Sequence, residues 1–281
     1  MSALVDTAHD AASAPPPGAK VACCVEYDGS AYAGWQSQRG VSTVQETLEN
    51  ALAAVASQPV RVHCAGRTDA GVHALSQWVH FEQPCSRSTR AWVLGGNANL
   101  PGDVRLLDAL AVSPDFHARF SARARHYRYI IVNTPVASAL CRGQATWIRE
   151  PLDAPRMHNA AQVLLGEQDF SAFRAASCQS PTAMRCVHRV AVQREGRLLA
   201  IDISANAFLH HMVRNIAGAL IKVGAGKRDP EWVDALLRCR DRTLAAATAP
   251  PSGLYLAGVT YPTRFGLPGD PAASRPFLFG S

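Results

Sequence analysis

The chain has 281 residues, enough for one large domain or two ordinary ones with filled cores. Hydrophobic residues make up 48% and charged residues 18%, a globular balance, and no stretch is apolar for long enough to span a bilayer. Lys and Arg total 28 against 22 Asp and Glu, and the resulting charge of +6 suits a polyanionic partner without requiring one.

Residues 1–18 are rich in Ala, Ser and Pro, close on Pro15-Pro16-Pro17, and contain no Lys or Arg. They read as a disordered tail and not as a secretory signal or transit peptide, so a soluble, cytoplasmic protein is expected. In that setting the eight cysteines, none in a C-x-x-C pair, read as reduced apolar residues rather than zinc ligands or disulfides.

Residues 20–27 alternate as a strand, with Val21, Cys23, Val25 and Tyr27 on one face, and Asp28-Gly29-Ser30 breaks it. Thr43-x-x-Glu46 is a capping box opening a helix whose stripe is Val44, Leu48, Leu52 and Val55. Strands are predicted at 60–65 and 77–82, a helix at 89–94 failing before Asn97 and Pro101, and a strand at 104–112. The second part has the same grammar. A strand at 125–132 precedes a helix capped by Asp153 and carrying Met157, Ala161, Leu164 and Leu165. A hairpin joins 186–193 to 198–205. A helix at 209–223 is stopped by Gly224 and Gly226, Asp229-Pro230 opens another to about Arg240, and a strand closes the pattern at 254–261.

These alternations favour antiparallel sheets covered on one face by helices, in two similar halves with a cleft between them. The expected division is a tail at 1–18, an α+β domain at 19–116, a second at 117–265 and a tail at 266–281.

Chemistry is concentrated at residues 66–74, Gly66-Arg67-Thr68-Asp69-Ala70-Gly71-Val72-His73-Ala74. Glycines and alanines around an Asp allow a tight turn and a close approach by substrate, so the carboxylate suits a nucleophile or general base. Pattern alone favours the plainer reading, an Asp that caps a turn. Arg119, Arg123, Arg125 and Arg128, interleaved with Phe120, His126 and Tyr127, suit phosphate neutralisation with base stacking, or simply a solvated strand face.

The 66–74 segment resembles the catalytic motif of the tRNA pseudouridine synthases that act on the anticodon stem-loop. Further blocks resemble that family in its own order: Tyr27-Asp28-Gly29-x4-Gly34-Trp35-Gln36, Phe116-x2-Arg119-Phe120-Ser121-Ala122 with Tyr127-x-Tyr129, and Asp169-Phe170-Ser171-x-Phe173-Arg174. Residues 206–216, with His210, His211 and Arg214, and Gly253-Leu254-Tyr255-Leu256 complete the likeness.

The resemblance implies an α+β fold of two ferredoxin-like halves forming a central antiparallel sheet flanked by helices. It implies a homodimer that isomerises uridine to pseudouridine at positions 38, 39 and 40 of tRNA, without cofactor or metal. It casts Asp69 as the catalytic carboxylate, Arg214 as its ion-pair partner, Tyr127 against the flipped base, Leu254 as an apolar wall and Arg67 as a group that fills space or meets phosphate during flipping. By pattern alone, Tyr127 and Leu254 are core residues and Arg67 and Arg214 surface charges. His210 and His211 are adjacent in the predicted helix and should point apart, which disfavours a metal site shared with His73. A non-catalytic RNA-binding module on the same fold is the main rival.

Overall fold

The computed structural model describes residues 14–268, so of the tails expected at 1–18 and 266–281 the parts at 1–13 and 269–281 lie outside the described residues. The part of the expected tail that is described is anchored. Gln83 donates through Nε2 to the Pro15 and Pro16 carbonyls, and Gly18 donates its N–H to the Gln83 carbonyl.

The first half runs β1 (Lys20–Tyr27), α1 (Val44–Ala56), β2 (His63–Cys64), β3 (His73–Glu82), α2 (Thr89–Asn99) and β4 (Val104–Ala111). The second runs β5 (Ala124–Asn133), β6 (Thr146–Ile148), α3 (Ala154–Ala161), β7 (Gly166–Asp169), β8 (Met184–Glu195), β9 (Leu198–Ala205), α4 (Met212–Gly224), α5 (Glu231–Cys239) and β10 (Leu254–Thr260). All the strands join one sheet in the order β4-β1-β3-β10-β5-β9-β8-β7, with β2 beside β3 and β6 beside β5.

Each half repeats one connection pattern. The last strand lies beside the first, the first beside the next-to-last, and that beside the one before it, giving β4-β1-β3-β2 and then β10-β5-β9-β8. The halves meet where β10 runs parallel to β3 at Tyr255–His73 and Leu256–Ala74. That joint and the β5–β6 pair are the parallel exceptions in an otherwise antiparallel sheet. Residue alternation in β10 sets the layers. Leu254 and Leu256 enter the two large cores beneath the helices, while Tyr255 and Ala257 enter a smaller cluster with Ile130, Val132 and Cys141 on the opposite face.

Several element boundaries differ from expectation for identifiable reasons. The capping box at α1 does not form. Thr43 makes no side-chain cap bond and its Oγ1 is buried without a partner. Instead the carbonyls of Gly34 and Trp35 accept from the first helical N–H groups, those of Val44 and Gln45. Helix α2 continues to Asn99 because its glycines are needed for close packing. A Cβ at Gly96 would lie 2.4 Å from Leu106 and one at Gly95 2.9 Å from Val55. The predicted strand 60–65 pairs only at His63 and Cys64, whereas β3 starts early, at His73, where it meets β10. Helix α4 begins at Met212 instead of 209, because His211 is left-handed (φ 61°).

Candidate active site between the two halves

Asp69 lies on the turn between β2 and β3, and the first part of the chain exists locally to hold that turn. Trp35 N–H donates to the Thr68 carbonyl (3.0 Å), Gly71 N–H to the Tyr32 carbonyl (3.3 Å), and the Tyr27 and Thr68 hydroxyls bond at 2.7 Å. Gly34 takes φ +95°, and a Cβ there would stand 2.8 Å from the Thr68 carbonyl oxygen. At Gly29 a Cβ would stand only 2.0 Å from the Val72 carbonyl oxygen. The two sequence blocks that carry Gly29 and Gly34 on one side and Asp69 on the other are therefore one structural unit.

The second half brings nitrogen donors to the carboxylate. Arg214, in the first turn of α4, places Nη1 3.4 Å from Asp69 Oδ2 and fixes its own Nε on the Ala249 carbonyl at 2.8 Å. His210 Nε2 lies 3.2 Å from Asp69 Oδ1, and His211 Nε2 3.3 Å from Oδ2. The Asp69 side chain keeps 28% of its surface open to solvent, so it stands in a cleft and not in a sealed core. Burial holds the His211 ring below the usual histidine range, with Asp69 pulling up and His210, Arg214 and Arg242 pushing down. It therefore meets Asp69 as a neutral N–H donor at neutral pH.

Tyr127 comes from the middle of β5, between Ile203 of β9 and Leu256 of β10. Its ring is half-buried and meets Phe208 edge-on, with centroids 5.0 Å apart. Burial and the Asp69 charge push its phenol upward, so it remains protonated. A Cβ at Gly66 would sit 3.8 Å from the Tyr127 hydroxyl, which places that hydroxyl under the start of the Asp69 turn. Leu254, buried opposite Tyr129, shares a core with Val72. Arg67 is exposed.

His73, in contrast, stands away from this group. Its Nδ1 accepts from Gly29 N–H at 3.1 Å and its Nε2 donates to the Gly143 and Ser252 carbonyls, so it ties together three loops as a neutral ring. A His73-His210-His211 metal centre is thus not assembled. Among the described residues, Asp69, His210 and His211 are the one group of three or more His, Cys, Asp or Glu side chains whose donor atoms all lie within 4.8 Å of one another. The Arg214 guanidinium on the same carboxylate opposes a dication there.

The basic segment divides. Arg128 is buried and bonds to Asp202 at 2.7 and 3.2 Å. Arg125 donates to the carbonyls of Ala65, Arg119, Ala122 and Asn206. Arg119 and Arg123 are exposed.

A family model described as tRNA pseudouridine synthase matches residues 23–121 and 160–262. The tRNA pseudouridine synthase A of Methylococcus capsulatus is 57% identical over 251 residues, covering 89% of this chain and 93% of that one. Those of Escherichia fergusonii and Escherichia coli O1:K1 are each 56% identical over 256 residues, covering 91% of this chain and 95% of theirs. The chain belongs to the tRNA pseudouridine synthase family. It is therefore an enzyme, of the isomerase class. The segments matched by the family model contain Arg67, Asp69, Arg214 and Leu254, whereas Tyr127 lies between them.

The convergence of His210 and His211 on Asp69 is the feature that sequence reasoning missed. Helical spacing at 209–223 points adjacent rings apart. The left-handed His211 turns them together instead, with centroids 4.0 Å apart. No residue pattern announces a left-handed histidine.

Proposed function

We propose that this enzyme converts uridine to pseudouridine at positions 38, 39 and 40 in the anticodon stem-loop of tRNA, with Asp69 as the catalytic carboxylate. The observation that carries the reading is a partly open Asp69 carboxylate held by Arg214 from the opposite half, with the Tyr127 hydroxyl under the start of the same turn. The reaction breaks the bond from N1 to C1′, turns the uracil and joins C5 to C1′. The C5 proton goes to solvent and N1 gains one, so atoms balance without a co-substrate. Asp69 acts on the nucleotide as nucleophile or base, and Arg214 keeps it ionised and aimed. Tyr127, protonated and half-buried, packs against the everted base, and Leu254 closes the apolar side. Arg67 takes up the space or a phosphate as the base leaves its stack, a step costing a few kcal/mol.

The repeated strand order supports two ferredoxin-like halves, divided near residue 116. The net charge of +6 and the exposed Arg67, Arg119 and Arg123 suit a folded RNA read through its shape and phosphates. We take the working form to be a homodimer in the cytoplasm. Among the described residues no helix is long and apolar enough to cross a membrane. Incubation with tRNA tritiated at uridine C5 tests the activity. Release of label, undiminished by a strong chelator, is expected, and no release from an unmodified, folded tRNA would favour a non-catalytic RNA-binding module.

A further inference from the structure

Phe120 is 76% exposed, an unusual position for a large aromatic ring, and the loop that carries it is rigidly built. His117 and Ser121 close the loop on each other, through Ser121 N–H to the His117 carbonyl (2.9 Å) and His117 N–H to Ser121 Oγ (3.0 Å). The His117 Nδ1 accepts from Arg119 N–H at 3.1 Å and from Phe120 N–H at 3.4 Å. Between them, the Ala118 N–H donates to the buried His80 ring and the Ala118 carbonyl accepts from the Tyr261 hydroxyl. The Phe120 ring rests against the His117 ring, with centroids 4.3 Å apart and planes 34° off parallel. One face is thus supported from below. The Arg119 guanidinium carbon lies over the ring, 5.6 Å from its centroid, and Arg119 and Arg123 are both exposed.

The loop is tied to the active-site turn. The Arg125 guanidinium donates to the Arg119 carbonyl at 2.5 Å and to the Ala65 carbonyl at 3.1 Å, so the Phe120 loop and the strand entering the Asp69 turn share one clamp. Ala65 precedes Asp69 by four residues, a span of at most about 14 Å. Phe120 therefore stands on a loop clamped to the strand that leads into the Asp69 turn.

We propose that Phe120 is a stacking platform for an unpaired nucleobase of the RNA substrate, with Arg119 and Arg123 holding the phosphates on either side. The site takes any base, because every base offers a π-face and the loop presents no fixed hydrogen-bonding edge to it. The proposal rests on the reading of the substrate as tRNA, but its test does not depend on turnover. Binding of one tRNA is measured by filter retention for Phe120→Ala, Phe120→Leu and Phe120→Trp, each across a range of salt concentrations. Loss of one stacked base weakens Phe120→Ala and Phe120→Leu about tenfold. Phe120→Trp keeps wild-type affinity. The dependence of log K on log salt is unchanged in all three, because no charge is lost. Equal affinity for wild type, Ala and Leu would overturn the platform. So would a weakened Phe120→Ala with a flattened salt slope, since the ring would then serve only to position Arg119. Absent tritium release by wild type would count against the pseudouridine synthase reading alone and leave the affinity ratios to decide the platform.

Discussion

Asp69 meets three nitrogen donors, and they do not contribute alike. Arg214 is a fixed charge whose guanidinium spans the Ala249 carbonyl and the Asp69 carboxylate with two different nitrogens. A lysine has the charge but not the fork, so it cannot hold both acceptors. Arg214→Lys is expected to leave melting behaviour near wild type and to lower kcat roughly 10- to 100-fold, the scale of one charge-assisted bond of about 1.5–3 kcal/mol. Tritium release at saturating tRNA, read beside a thermal melt, checks this; an unchanged kcat would remove Arg214 from the active site. The Asp69–Arg214 pair, 145 residues apart in the chain, was legible only through resemblance to the family, since no local pattern links such positions. The histidine contacts were not legible at all. They depend on one backbone angle at His211, and a left-handed histidine looks like any other histidine in the sequence.

Among the elements, the turn that carries Asp69 is shaped from outside. Within it the backbone bond is Val72 N–H to the Asp69 carbonyl at 3.1 Å, whereas Tyr27 at the end of β1 and Tyr32 and Trp35 in the segment after it brace it. Gly34 lies in that brace, with a positive φ and no room for a methyl group. Gly34→Ala should cost more than about 1 kcal/mol of stability in a denaturant titration. Its kcat should fall by more than its tRNA affinity, because Thr68 and Asp69 must move to admit the Cβ. Wild-type kcat in a folded Gly34→Ala protein would mean the brace does not set the carboxylate. The regular parts of these elements followed from apolar periodicity, as β1, β9 and α1 illustrate. Their ends did not, because tertiary contacts set them. Gly34 and Trp35 carbonyls replace the expected cap at α1, and β3 is lengthened by a partner strand that comes from the far end of the chain.

For the molecule as a whole, the decisive contact is the parallel joint between β3 and β10, which places the Asp69 turn of one half beside α4 of the other. The repeat of strands and helices was readable in the sequence. The joint was not, because pairing between two buried, apolar strands has no signature of its own. Whole-molecule stability should also respond to pH through His80. This ring is buried, its Nδ1 accepts from Ala118 N–H, and burial, with His117, His63 and Lys20 nearby, lowers it from 6.5 to about 4. Between those values the unfolded chain binds the proton and the folded chain does not, so stability is fully present above pH 6.5 and is lost as pH falls toward 4. His80→Gln, which keeps an acceptor but does not titrate, should lose less melting temperature than wild type over that range; identical slopes would exclude His80 as a source.

The proposed isomerisation requires Asp69 to act chemically and not merely to shape a turn. Asp69→Asn keeps nearly the same volume while removing the charge. Tritium release and tRNA affinity measured on the same preparation should show wild-type binding with no release of label. Release at the wild-type rate, or loss of binding together with loss of the folded state, would contradict the assignment.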